Sequence, residues 1–246
     1  MKKSRLMRLG ASLVITVVFM LILVMAAPEE NPGRILVMLG ATMPEGLIQG
    51  VTYFLFVFGV LEVCSVKNRL MVENDAFSAH LLPEQDNYVL SSDDANQLKL
   101  NMQQMSHQQK YYLVDLIKKA CTKYRLSKSS SEVLALTDAQ IKIYNTEIEN
   151  EQTYINYAIW AIPSVGFIGT VIGIAASLGF AGQASTPDGI EIVTSMLAVA
   201  FDTTLVALVL SVILVFLVHN LHKRQDDLFS RMNTYIIDNL INRFYK

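Results

Sequence analysis

Asp202, Thr203 and Thr204 stand in a row inside the apolar run A-F-D-T-T-L, and a further hydroxyl, Thr170, sits inside a second apolar run. A carboxylate in a segment long enough to cross a bilayer is costly to bury as an anion. It must be neutral, paired, hydrated or turned toward a polar pore, and it is a functional-site candidate by default. The chemistry these side chains offer is cation handling. A carboxyl group takes up and releases a proton, and adjacent hard oxygens suit sodium as well. Counted from residue 193, Asp202 lies about 14 Å into its apolar segment, near the middle of the membrane. A structural reading stays open beside this one: the hydroxyls of Thr170 and Thr204 return to carbonyls of their own helices, and Asp202 anchors a neighbouring helix.

Around Thr170 the run Pro163 to Gly173 reads P-S-V-G-F-I-G-T-V-I-G. Gly166, Gly169 and Gly173 are spaced so that they share one face of a helix. A face without side chains lets another backbone come close in lipid, where packing rather than the hydrophobic effect holds helices together.

Other chemistry finds little support. Cys64 and Cys121 lack metal-ligand spacing, and His80, His107, His219 and His222 are scattered. No zinc site, disulfide or resident cofactor is expected. Glu62 and Gln49 are weaker site candidates, since Glu62 falls near one end of its apolar segment, within reach of water. An intramembrane protease would need a second carboxylate at membrane depth, or a Ser–His dyad. Ser195 and His219 would sit about 36 Å apart on one helix. No enzyme is expected, and no catalytic residue is assigned.

The elements that must position these residues follow from composition and charge. The 246 residues are 52% hydrophobic with a net charge of −2, which removes any basic surface for nucleic acid. Mean hydropathy is +0.36, too apolar for an ordinary soluble domain. Four stretches can cross a bilayer: about 11–27, 47–66, 156–179 and 193–218. The last is about 39 Å long as a helix, beyond a hydrocarbon core of roughly 30 Å, and is expected to run on into water. Lys2, Lys3, Arg5 and Arg8 before an apolar run also describe a signal peptide, and Val24-Met25-Ala26 offers a cleavage pattern. The length of that run favours a retained helix.

With four spans, nineteen of the twenty Lys and Arg residues fall on one side, and Arg34 alone falls opposite. The positive-inside rule then puts both termini and the central insert in the cytoplasm. The expected fold is an all-α membrane protein, with four transmembrane helices whose long members extend into a cytoplasmic helical bundle. Its parts are 1–66, two membrane helices with a short outer connection; 67–155, a cytoplasmic helical domain; 156–218, a membrane hairpin; and 219–246, a cytoplasmic C-terminal helix. In the insert, Ser91-Ser92-Asp93-Asp94 signals a helix start, and Leu98, Met102, Met105, Tyr112 and Leu116 predict one amphipathic helix. Ser129 and Glu132 have capping-box spacing for a second helix that runs into the third span.

G-F-I-G-T-V-I-G resembles the glycine–threonine run of the MotA/TolQ/ExbB proton-channel family, and A-F-D-T-T-L-V-A-L is similar to the run on that family's last membrane helix. The resemblance is specific over about 163–220, and four spans are similar to the MotA branch. It implies an ion-channel-forming, energy-transducing subunit of the bacterial inner membrane. It further implies a homopentamer in the lipid bilayer, enclosing a dimer of an ExbD-, TolR- or MotB-like subunit with a single span. By motif, Thr170 and Thr204 would line the pore and face that partner's titratable aspartate. H+ or Na+ would be the transported ion, and mechanical work the output. ExbB-type members place a glutamate five residues before the last-helix threonine; here that position is Val199. Asp202, three residues on, is the acidic residue at hand. A non-conducting helical scaffold is the alternative function.

Overall fold

The computed structural model describes residues 2–28, 33–42, 46–84, 89–108, 111–183 and 185–244, the side chains of 2, 3, 92, 106–108 and 183 excepted. Among these residues the secondary structure is helical, with one isolated bridge between Leu90 and Phe244. The helices are α1 (Lys2–Ala26), α2 (Arg34–Met38), α3 (Gly46–Asp75), α4 (Ser92–Gln108), α5 (Tyr112–Ser127), α6 (Ser130–Glu151), α7 (Thr153–Gly179) and α8 (Pro187–Asn239). Four of them, α1, α3, α7 and α8, are long and apolar enough to cross a membrane. The expected connection Pro28–Gly46 falls partly on residues 29–32 and 43–45, outside the described set.

Two compact units divide the chain: Met1–Cys64 with Gln152–His219, and Ser65–Glu151 with Asn220–Lys246. In the first unit the register of three helices can be read from their closest approaches. A Cβ on Gly169 of α7 would meet Ile48 of α3 and Thr203 of α8. A Cβ on Gly59 of α3 would meet Ala158 of α7 and Leu214 of α8. The two levels are eleven residues apart on every helix, so α3, α7 and α8 run side by side without slippage. Beyond the first level, α7 continues ten residues from Gly169 to Gly179.

The connection between α1 and α3 is built onto this bundle. Leu36, Met38 and Leu39 pack against a buried cluster of Met20, Leu23, Ala41, Tyr53 and Val206. The Tyr53 hydroxyl donates to the Leu39 carbonyl at 3.0 Å. Gly40 has φ +91°, a conformation glycine adopts without strain, and the chain turns there to bring its backbone against Gly46. Only a glycine fits at position 46.

The second unit corrects one expectation. The predicted single helix through Leu98 and Leu116 is two helices, α4 and α5, and residues 109–110 between them lie outside the described set. Tyr111 is extended, and the buried Glu73 carboxylate accepts the Tyr112 backbone N–H at 2.7 Å. A carboxylate from α3 thus caps α5 at an amide that a continuous helix would have used for itself. Both predicted caps are present: Ser91 and Asp94 bond reciprocally at 2.9 and 3.2 Å, and Ser129 accepts from the Glu132 N–H at 3.4 Å. The residues of the expected C-terminal helix up to Asn239 form no separate element but the last turns of α8, an uninterrupted helix of 53 residues.

Asp115 of α5 is held by Lys118 and Lys119 at 3.0 and 2.7 Å and by the Tyr144 hydroxyl at 2.6 Å. Burial pushes its carboxyl up, but the hydrogen bonds from Lys119, Tyr144 and Lys118 outweigh this and bring it down to about 2. A carboxyl depressed on folding adds stability above its unfolded value, and that contribution is lost as pH falls through the folded value. Asp115→Asn is therefore expected to lower the thermal stability of the full chain at neutral pH, with the deficit closing between about pH 4 and 2. A deficit that stays constant over that window would show that the charge is not what stabilises.

Candidate functional site

The sequence-predicted residues meet along the seam of α7 and α8. Gly166, Gly169 and Gly173 do share a face, and α8 of the same chain fills it. A Cβ on Gly166 would stand 2.5 Å from the Ala207 Cβ, one on Gly169 2.5 Å from the Thr203 hydroxyl, and one on Gly173 2.5 Å from the Ala200 Cβ. Every one of these separations is closer than real side-chain carbons approach. The glycine stripe is thus spent on closing the hairpin, and it does not supply a contact between copies of the chain.

Close approach brings the threonines together. The Thr170 hydroxyl can donate to the Ala200 carbonyl of α8 at 3.0 Å, and the Thr204 hydroxyl to the Gly166 carbonyl of α7 at 2.9 Å. The two hydroxyls also touch each other. Neither returns to its own helix, as the structural reading of the sequence had it; both cross the seam. Two hydroxyl protons serve three contacts, so the pair keeps spare acceptor capacity for a proton from outside. Thr170 and Thr204 are partly exposed.

Thr203 stays at the seam, within reach of the Gly166 carbonyl at 3.4 Å, whereas Asp202 points elsewhere, because consecutive residues of a helix diverge by about 100°. Thr203 is buried beneath Gly169, and its hydroxyl bonds its own helix at the Ala200 carbonyl, 2.8 Å away. Asp202 faces the connection between α1 and α3. There Arg34, at the start of α2, takes it in a two-pronged ion pair: Nη2 donates to Oδ1 at 2.8 Å and Nη1 bonds Oδ2. The row Asp202-Thr203-Thr204 is therefore split: the carboxylate leaves it toward Arg34, while the Thr203 and Thr204 hydroxyls stay with Thr170 around the carbonyls of Gly166 and Ala200. Asp202 precedes Thr203, which lies level with Ile48 in the first turn of α3, so the carboxylate stands beside the start of α3.

Arg34 is the functional residue that sequence reasoning missed. Its signal was present, since it is the single Lys or Arg between Arg8 and Lys67, as Asp202 is the single acid deep in its segment. The hydrogen bonds and charge of Asp202 raise the guanidinium pKa above its ordinary value. Further along α3, near its middle, Glu62 does not reach water as expected. Its side chain is 2% exposed, bonded to Arg8 at 2.9 and 3.1 Å with Arg5 at 3.8 Å, and Arg5 lies over the Tyr154 ring. Within the first unit, one carboxylate–arginine pair thus stands beside the start of α3 and another near the middle of that helix.

Ser195 and His219, 24 residues apart on the single helix α8, are too distant for a nucleophile and its base. A sequence profile of the MotA/TolQ/ExbB proton channel family matches residues 103–234. No curated protein and no solved structure matches the chain. The profile spans more than half of the sequence and takes in α5, α6, α7 and the whole threonine seam. This helical chain, with four helices long and apolar enough to cross a membrane, belongs to the MotA/TolQ/ExbB proton channel family.

Proposed function

We propose that the protein is the channel-forming subunit of an inner-membrane motor that couples proton motive force to mechanical work through a partner with a single membrane helix. The observation that carries this reading is the Thr170–Thr204 pair, with two protons among three contacts, inside the family-matched segment. A chain of hydroxyls with spare acceptors passes a proton, whereas sodium needs several converging oxygens. The Thr170, Thr203 and Thr204 hydroxyls converge with the carbonyls of Gly166 and Ala200, so the seam suits either H+ or Na+ as the transported ion.

In this reading five copies surround a dimer of an ExbD-, TolR- or MotB-like subunit, whose aspartate exchanges the proton with the threonine pair. The exposed apolar residues of the hairpin, among them Phe167, Val171, Phe201, Leu205 and Val212, suit lipid and neighbouring copies. Both termini and the second unit lie in the cytoplasm of a bacterial cell. This is motivated by the distribution of Lys and Arg, and it is tested by cysteine labelling at Ser127 and Ser185. Modification from opposite sides of the membrane is expected; modification of both from one side removes the topology. Ion flux in liposomes tests the channel itself. Flux is expected when a partner is co-reconstituted, and a robust selective current from this chain alone would make it a self-sufficient channel. The second reading, a non-conducting scaffold, draws on the same hydroxyls, which already satisfy the carbonyls of Gly166 and Ala200.

A further inference from the structure

The Arg34–Asp202 pair is unequal. The Asp202 side chain is 5% exposed and that of Arg34 is 62% exposed, so the guanidinium arrives from the open side and covers the carboxylate. Holding α2 in place does not require this pair. Leu36, Met38 and Leu39 are packed into the apolar cluster, and Tyr53 and Gln49 donate to the carbonyls of Leu39 and Met38 at 3.0 and 3.5 Å. A rotation of the Arg34 side chain alone would bare the carboxylate while α2 stays seated. Asp202 also points away from the Thr170–Thr204 pair, so its charge does a separate task.

We propose that Arg34 is a tethered cation that occupies the Asp202 carboxylate and keeps protons off it, which makes Arg34 the residue that sets when this acid can be loaded. The pair is thus a second cation site of the chain, distinct from the hydroxyl seam. A proton reaching Asp202 must displace the guanidinium, and the guanidinium must leave before the carboxyl can become neutral. The proposal rests on the ion-conducting reading only for the consequence that loading Asp202 matters to flux; the occupancy itself is independent of it.

The test uses the full chain in lipid nanodiscs and dicyclohexylcarbodiimide, which reacts with neutral carboxyl groups in apolar surroundings, with mass spectrometry reading adduct at Asp202. At one fixed near-neutral pH, wild type and Arg34→Lys are expected to label at the background of Asp202→Asn. Arg34→Gln is expected to label about tenfold more or better. Arg34→Cys gives both states on one folded sample: a cationic methanethiosulfonate should return labelling to background, and a neutral reagent of like size should leave it high. Wild-type labelling as strong as that of Arg34→Gln overturns the proposal, as does equal labelling after the cationic and neutral reagents. Because the readout needs neither partner nor current, a failure of the channel reading would leave this result untouched, and the reverse holds as well.

Discussion

Thr204→Val is expected to reduce partner-dependent proton flux to the level of protein-free vesicles while leaving the amount of assembled protein unchanged. Valine keeps the volume and removes the hydroxyl that touches Thr170 and reaches the Gly166 carbonyl. One hydrogen bond between membrane helices is worth only about 0.6–2 kcal/mol. The seam is held mainly by glycine packing, so the variant should still assemble. Thr170→Val is expected to behave in the same way, since it breaks the same relay from the other helix. Asp202→Asn, which keeps size and hydrogen bonding but removes the charge that binds Arg34, is expected to abolish transduction through the second polar point. Flux at matched assembly separates these outcomes from the scaffold reading, which requires wild-type flux in all three variants.

Gly166→Ala is expected to have the opposite signature: a large loss of folded protein, relieved by a second substitution. The added methyl would lie 2.5 Å from the Ala207 Cβ and 3.2 Å from the backbone at Thr203 and Thr204. Overpacking of this kind costs about 1–3 kcal/mol when neighbours can shift, and two helices already in backbone contact have little room to shift. Ala207→Gly removes the nearest clash, so Gly166→Ala with Ala207→Gly should recover much of the thermal stability lost in the single variant. The coupling from the four-protein cycle reads the contact directly. Additive losses would mean that the glycine face packs against something other than α8 of the same chain.

The seam was legible because its signal is local. Three glycines at helical spacing predict a close approach, and apolar length predicts four spans. What the sequence withheld was the partner of that face: a stripe of glycines specifies a near neighbour without saying whether it is the next helix or the next copy. The break between α4 and α5 was hidden for a related reason. The stripe of Leu98, Met102, Met105, Tyr112 and Leu116 keeps helical spacing across the break, and the cap that starts α5 comes from Glu73, nearly forty residues earlier. Asp202 shows the limit most plainly. Three neighbouring side chains in the sequence suggest one site, but 100° per residue turns Asp202 to Arg34 of α2 and leaves Thr203 and Thr204 at the seam, and only the pairing of Thr204 with Thr170 was foreseeable from the motif.

The two arginine–carboxylate pairs that bracket the Gly46–Glu62 stretch of α3 carry a consequence for the surrounding lipid. From Gly46 to Glu62 the helix advances about 24 Å, and α1 advances about 27 Å from Arg8 to Ala26. Charges at both limits fix this height, which falls a few ångströms short of a typical core of roughly 30 Å. The hairpin beside them is taller, because α7 runs ten residues past Gly169. One protomer therefore presents two hydrophobic heights to the same bilayer. Acyl chains must compress against α1 and α3 and relax along α7, at a cost of fractions of a kcal/mol per ångström of mismatch. Such a gradient gives the chain a thin side and a thick side, and it makes the membrane itself a participant in how the chain is oriented.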